Sequence, residues 1–304
     1  MRSIDAGLRA GLWPALVLGT LLGFLFSFER GHVEAGLALV PMAAIALLLG
    51  LELVLPDRRG EESARDDQLW NDAVHSVVGQ LGGNALGQAA FVFAAAWVAG
   101  AIGERWGGNL WPARAPLLVQ VPLLVFLADG LDYGRHRLMH TVPWLWPVHE
   151  LHHDGDRLNV LKAGRGHLLD MLLRNLLVFA PLALVGVPRE VMLAYAAAVT
   201  VFGPVAHANV SLRVPRFLHR LVLTPQVHRI HHARPTALSC SNYANVFPLW
   251  DILFGSFEHP ERHGRLAYGI EGGALRRDLA GQLLGPFVAW WGLLRPPRAS
   301  RARV

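Results

Sequence analysis

Cysteine is almost missing from this chain: Cys240 stands alone among 304 residues. No intrachain disulfide can form, and the chain by itself cannot build an iron–sulfur cluster or a multi-cysteine zinc site. A role as a small filler residue is enough to account for Cys240. Charge is scarce too. Asp, Glu, Lys and Arg make up 17% of residues, against about 25% in an average soluble domain. Hydrophobic residues reach 53% and mean hydropathy is positive, which places the chain in the membrane class. The formal net charge of +5 comes largely from arginine. A basic balance can mark a nucleic-acid binder. Here the arginines flank apolar runs and close the chain as Arg295-Pro-Pro-Arg298-Ala-Ser-Arg301-Ala-Arg303. That placement suits a cytoplasmic membrane face and anionic lipid, and no nucleic-acid partner is expected.

The apolar runs give the organisation. Residues 10–28 carry no charge, which is long enough to cross a bilayer; with no clear cleavage site they read as a retained helix. Residues 35–55 form a second run, broken only by Glu52, and the charged stretch from Asp57 to Asp67 is a loop. Residues 76–103 are uncharged, with several glycines that permit close helix contact. Residues 115–128 run straight into Asp129, Asp132 and His136, so this helix is expected to carry its polar end out into the cytosol. Two further apolar stretches, 168–187 and 191–206, are separated by Pro188-Arg189-Glu190, and the first carries Asp170 and Arg174. Residues 279–294, with Trp290 and Trp291, are short for a span and suit an interfacial helix.

The expected fold is all-α: a polytopic membrane helical bundle of four to six spans, with a cytosolic helical cap holding a His-rich dimetal site. Residues 1–110 would supply N-terminal transmembrane helices, 111–260 the site, and 261–304 the interfacial helix and basic tail. There is no internal repeat, low-complexity tract or domain linker.

Fifteen histidines are present, and their spacing carries more than their number. His136 and His140 form HxxxH; His149, His152 and His153 form HxxHH; His228, His231 and His232 form a second HxxHH. On a helix, i and i+4 share a face and i+3 lies beside them. Each cluster therefore sends two or three imidazoles into one small volume. A lone histidine is more often a surface or hydrogen-bonded residue than a ligand. Eight together near a membrane are costly without a partner, and metal is the partner that accounts for all of them. His167, in Gly-Arg-Gly-His, and His207, in Ala-His-Ala-Asn, adjoin the polar segments and are further candidates. His32, His75, His219, His259 and His263 belong to no cluster and are expected to be surface or structural.

Asp129, Asp132, His136 and His140 follow steps of three, four and four along one helix face. A carboxylate one turn before a ligand can orient the imidazole by taking its other N–H. The plainer role is a polar exit from the membrane. Eight to ten imidazoles exceed what one ion needs, since a mononuclear catalytic zinc takes three protein ligands and an open position. Two metals with four or five imidazoles each would use the count. Spacing alone does not choose between iron and zinc.

These residues resemble the fatty acid hydroxylase and sterol desaturase superfamily of membrane histidine-box di-iron oxygenases. Asp129-x-x-x-Tyr133-x-x-His136-Arg137-x-x-His140 is similar to the first box, and Pro143-x-x-Trp146-x-x-His149-x-x-His152-His153 to the second. Arg165-x-His167 resembles the Arg-x-His element and His207-x-Asn209 the histidine at a helix end. His228-x-x-His231-His232, then Asn242-Tyr243 and Trp250-Asp251-x-x-Phe254-Gly255, resemble the third box and its tail. The likeness covers roughly residues 125–258, and makes 111–260 a fatty acid hydroxylase-like di-iron domain. Leu168 replaces a frequent proline, Asp170 a frequent glutamate and Ala244 a usual glycine, which puts the role of Asp170 in doubt.

The resemblance implies that His136, His140, His149, His152, His153, His167, His207, His228, His231 and His232 hold two irons. It also places Asn209, Asn242 and Asp251 beside them. It implies oxidation of a lipid C–H bond, by hydroxylation or desaturation, with dioxygen as co-substrate. Electrons would come from an external donor of cytochrome b5, ferredoxin or reductase type. The expected location is a bacterial inner membrane or its equivalent, with the metal site on the cytoplasmic side.

Two other functions compete. His149-Glu150-Leu151-His152-His153 satisfies HExxH, which suits an intramembrane zinc protease, but leaves His136, His140, His228, His231 and His232 without a role. A non-catalytic metal carrier would need ligands at mid-membrane, whereas the clusters fall in polar segments.

Overall fold

The computed structural model describes residues 2–294 apart from 107, 109 and 274. The basic tail read above as cytoplasmic lies outside the described residues. The chain is helical, with two isolated β-bridges and no strand among the described residues. Helix α1 (Arg2–Glu29) turns at Gly31, whose φ of 74° lies in the left-handed region, and returns as α2 (Val33–Val54). Helix α3 (Leu69–Arg105) is a 37-residue run and α4 (Leu117–Thr141) follows it. Helix α5 (Trp146–His153) is short. Helix α6 (Leu168–Arg174) continues through a π segment, Asn175–Phe179, into Ala180–Leu184. Helices α7 (Arg189–Val199) and α8 (Phe202–His207) follow. The polar end carries α9 (Pro225–His231) and α10 (Leu249–Leu253), and α11 (Leu279–Leu294) closes the described chain.

Five helices are long and apolar enough to cross a membrane: Arg9–Glu29, Val33–Val54, Leu69–Arg105, Leu117–Thr141 and Arg189–His207. This lies within the four to six spans expected. A helix pairs its backbone groups within itself, so it is the form these uncharged runs can take in lipid. Leu18, Leu22, Leu39, Leu81, Phe93 and Trp97 are exposed on the outside of the bundle, where lipid rather than water accounts for them.

Small residues set the closest approach. Gly79, Gly83 and Gly87 line one face of α3 at four-residue steps. A Cβ on Gly79 would collide with the Gly166 carbonyl, one on Gly83 would lie 2.7 Å from Met171 Cβ, and one on Gly87 2.6 Å from Asn175 Cβ. The glycines of 76–103 thus admit α6, as small residues do between membrane helices. Leu124, Val125 and Ala128 of α4 pack with Val178 and Leu182 of the α6 run and Val191 and Tyr195 of α7. A second core joins Leu16 and Leu48 to Val201 and Val205.

Glu52, the one charge in the second apolar run, is buried near the end of α2. Its carboxylate accepts the backbone N–H groups of Ser63, Val160 and Asn209 at 2.7–3.0 Å. One side chain so ties three loops together beneath the polar end of the bundle. With the α6 run counted as a further crossing between α4 and α7, alternation from α1 makes α2, α4 and the span ending at His207 all finish at that end, where Asn209 meets Glu52.

Candidate metal centre

Four elements deliver the histidines. The last two turns of α4 present His136 and His140, α5 presents His149, His152 and His153, α8 ends on His207, and the α9 turn carries His228, His231 and His232. Thr224 starts α9 by accepting the Val227 N–H at 3.4 Å, and Pro225 occupies the first turn, where its missing N–H is not needed.

The structure brings nine of the ten candidates together in two adjoining groups. His136, His140, His149, His153 and His231 form one; His152, His207, His228 and His232 form the other. Within each group one nitrogen per residue lies within 4.8 Å of all the others. Stacking of His153 on His232 at 4.5 Å joins the groups.

The outer nitrogens fix the tautomers. His136 Nδ1–H donates to the Tyr243 carbonyl at 2.7 Å, His231 Nδ1–H to the Ser241 carbonyl at 2.8 Å, and His152 Nδ1–H to the Arg165 carbonyl at 3.0 Å. His207 Nδ1–H donates to the Gly203 carbonyl at 2.8 Å, and His149 Nδ1–H to Asp170 Oδ2 at 2.7 Å. Each acceptor takes only a hydrogen, so in the neutral, metal-binding form of each ring Nε2 is a bare lone pair. Yet His136 Nε2 lies 2.9 Å from His149 Nε2, and His207 Nε2 lies 3.3 Å from His152 Nε2. With no proton between them, these lone pairs repel unless a cation sits in their midst. An ion with metal–nitrogen bonds of about 2.1 Å would hold neighbouring nitrogens at about such separations. His140 Nε2, both nitrogens of His153, His228 Nδ1 and His231 Nε2 are buried without any partner among the described residues, a costly state that ligation would relieve. Burial pushes His231 down to about 3 and holds His152, His153, His228 and His232 well below the ordinary imidazole value. These five rings are therefore neutral, the form that binds metal. The donor set fits a pair of imidazole-binding ions.

The structure places three of the expected residues away from the imidazole groups. His167 stands outside both groups. Its Nδ1 accepts the Leu169 N–H at 3.2 Å, capping α6, and its Nε2–H donates to the Leu283 carbonyl at 3.0 Å, tethering α11, so both nitrogens are used. Asp129 and Asp132 touch no imidazole. Asp129 accepts the backbone N–H groups of Asn245, Val246 and Phe247 at 2.8–3.0 Å, and Asp132 pairs with Arg135 and Arg174. They fix the 242–247 loop and the α4–α6 contact. The carboxylate that does orient a histidine is Asp170, whose role was in doubt. Its other oxygen accepts from Arg135 Nη1 at 2.6 Å. Its one signal in the sequence was position, one helical turn into the segment after Arg165-x-His167.

Asn209, Asn242 and Asp251 also make no contact with a ring. Asp251 accepts the N–H groups of Tyr243 and Ala244 at 2.8–2.9 Å. Asn242, at φ 54°, bonds the Val227 carbonyl and both backbone groups of Glu258. Together they set the Ser241 and Tyr243 carbonyls that hold His231 and His136. Asn209 bonds both backbone groups of Arg58, two residues beyond His207.

The unclustered histidines are structural or exposed: His75 pairs with Gln282 at 3.0 Å, His219 with Thr224 at 2.8 Å and His263 with Glu258 at 3.0 Å. In the HExxH match, His149 and His153 do share a group, but with three further imidazoles, and Glu150 lies in neither group. Burial and the nearby Asp154 push the Glu150 carboxyl up to about 7. Five imidazoles around one position do not match three ligands and an open site.

Comparison with known proteins agrees with this geometry. The family model described as fatty acid hydroxylase matches residues 121–256. An ornithine lipid hydroxylase of Rhizobium tropici is 32% identical over 285 residues, covering 93% of this chain and 85% of that protein. Alkylglycerol monooxygenases are more distant. The human protein is 30% identical over 46% of this chain and 31% of its own length, and that of Caenorhabditis elegans 26% identical over 56% and 32%. The chain thus matches only about a third of each monooxygenase. No solved structure gives a significant match. The chain belongs to the fatty acid hydroxylase family, as an integral membrane oxidoreductase of the hydroxylase type.

Proposed function

We propose that this protein is a di-iron oxygenase that hydroxylates a polar membrane lipid of the ornithine-lipid type, using dioxygen and electrons from an external donor. The observation that carries the proposal is the set of Nε2 lone pairs facing one another at 2.9 and 3.3 Å with no proton to share. Iron rather than zinc, and two ions rather than one, rest on the family and on the two-group arrangement of nine imidazoles. Bound by those residues, iron would supply the dioxygen activation and C–H oxidation that side chains cannot perform.

The chain's own part is positioning and exclusion. Asp170, held by Arg135, orients His149, and such outer partners tune ligand basicity as well as direction. Trp146 packs against His140 at 5.1 Å and His153 at 5.6 Å, walling the site with apolar surface. Helix α11 lies along α5, pinned by Trp290 Nε1 donating to the Trp144 carbonyl at 2.8 Å. Leu284, Phe287, Val288 and Trp291 on α11 remain exposed to lipid. This fits the interfacial helix expected from the sequence.

The donor would be of cytochrome b5, ferredoxin or reductase type, reaching the polar end from the cytoplasm. Arg58, Arg59, Arg65, Arg157, Arg213, Arg216 and Arg220 at that end, against Arg30, Arg105, Arg114 and Arg189 at the other, support a cytoplasmic metal site. The test is lipid mass spectrometry of cells with and without the gene, grown under 18O2. The expected product is a lipid heavier by one 18O atom only where the gene is present. A chain that is expressed and iron-loaded yet leaves every lipid unchanged would refute the proposal.

A further inference from the structure

A polar cavity lies behind the second histidine box, apart from the two imidazole groups. It is a cleft of about 410 Å³ lined by side chains of both signs, Asp66, Asp154, Asp156, Lys162, Arg165 and Arg234 among them. Its depth in the bilayer can be placed. Asp66, Asp67 and Gln68 on its wall directly precede α3, which begins at Leu69, and Arg277 on the opposite wall lies two residues before α11. Trp70, in the first turn of α3, is 73% exposed, as an aromatic at the membrane boundary would be. The cleft therefore sits where two apolar helices start, the level at which a lipid carries its headgroup.

Its charge is dipolar. On the floor, Lys162 Nζ lies 2.7 Å from Asp72 and 3.1 Å from Asp66, while Arg165 lies 2.6 Å from Asp72 and 2.9 Å from Asp154. Counting Asp72, which is buried beneath the lining, three carboxylates share these two cations, one negative charge in excess, while Asp67 and Arg277 on the wall pair with each other. On the rim, Arg234 gives its Nε–H to the Tyr268 carbonyl at 3.3 Å, and its two terminal nitrogens have no partner among the described residues. Asp156 is open to solvent, with Arg157 its one ion-pair partner among the described residues, at 3.8 Å. The wall also touches the metal centre. Asp154 follows His153, and Arg165 is the residue whose carbonyl holds His152.

Resting on the lipid-hydroxylase function proposed above, we infer that this cleft binds the headgroup of the lipid substrate, and that the headgroup is an amino acid keeping one ammonium and one carboxylate. A diamino acid joined to a lipid through one amine has that pair of charges. Its carboxylate meets the Arg234 guanidinium, which is built for a two-pronged grip on a carboxylate. Its ammonium faces Asp156 and the negative floor. A neutral glycerol headgroup would leave both charges unanswered.

The test is a binding titration of the full chain in nanodiscs with four probes: N-dodecanoylornithine, N-dodecanoylputrescine without the carboxylate, N-dodecanoylnorvaline without the ammonium, and free ornithine. The wild type should bind the first at least tenfold more tightly than the others. Arg234→Gln should weaken N-dodecanoylornithine about tenfold yet leave N-dodecanoylputrescine unaffected. Asp156→Asn should weaken it likewise and leave N-dodecanoylnorvaline unaffected. A general loss of fold would weaken every probe, so this crossed pattern is diagnostic. Equal wild-type affinity for the three acylated probes, or uniform losses in the variants, would overturn the inference. Free ornithine binding as tightly as the acylated form would overturn the lipid assignment by showing a site for a soluble amino acid. Binding is read without turnover. The crossed pattern with no lipid oxidation would refute the oxygenase function alone, and lipid oxidation with a flat pattern would refute the cleft alone.

Discussion

At the scale of single residues, the centre depends on groups that never reach its middle. Asp170 links His149 to Arg135, and Arg135 is anchored in turn by Asp132 at 2.6 Å. Removing such an outer partner costs about ten- to a hundredfold in metal affinity or activity. Asp170→Ala should reduce iron retention by that order in competition with a chelator, while Asp170→Asn, which keeps an acceptor for the His149 N–H, should lose less. Iron retention unchanged in Asp170→Ala would remove this role. The clusters themselves were legible, because spacings of three and four residues on a helix put imidazoles on one face. The carboxylate was not. Asp129 and Asp132 have the right spacing from His136, yet the loop at 245–247 and the arginines claim them first. Asp170 lies 21 residues from the ring it holds, and only the fold brings it there. His167 misled for the converse reason: a histidine at a helix start can spend both nitrogens on capping and tethering.

At the scale of elements, the glycine face of α3 decides how near α6 can come. A side chain at Gly83 meets Met171 Cβ at 2.7 Å, whereas one at Gly100 on the same helix meets nothing within 4 Å. Gly83→Leu should destabilise by about 1–3 kcal/mol through overpacking, seen as an earlier thermal aggregation midpoint in detergent. Gly100→Leu should be neutral. Equal midpoints for both would show that this contact does not set the packing. The apolar runs announced the spans well, since composition and length are all a bilayer requires. The 168–187 run became a helix with a π segment that escapes the length and hydropathy of a candidate span. Nothing local marks where the π turns fall. They occur where α3 and α6 press on each other, which is a property of the pair.

At the scale of the whole molecule, both histidine groups gather at one end of the bundle, the end proposed above to be cytoplasmic. The prediction uses a Cys240→Ser background with single cysteines at two exposed sites. Arg59→Cys, at the metal end, should react with a membrane-impermeant maleimide only in inside-out vesicles. Arg114→Cys, in the opposite loop, should react only in intact cells. The reverse labelling would place the centre outside. Sidedness, family and metal chemistry converge on the nine imidazoles, so the most direct measurement is the metal content of the purified, catalytically active chain. Two irons per chain are expected, with both lowered by His153→Ala, since His153 lies between the two groups. A single zinc per chain, retained in that variant, would contradict the di-iron proposal.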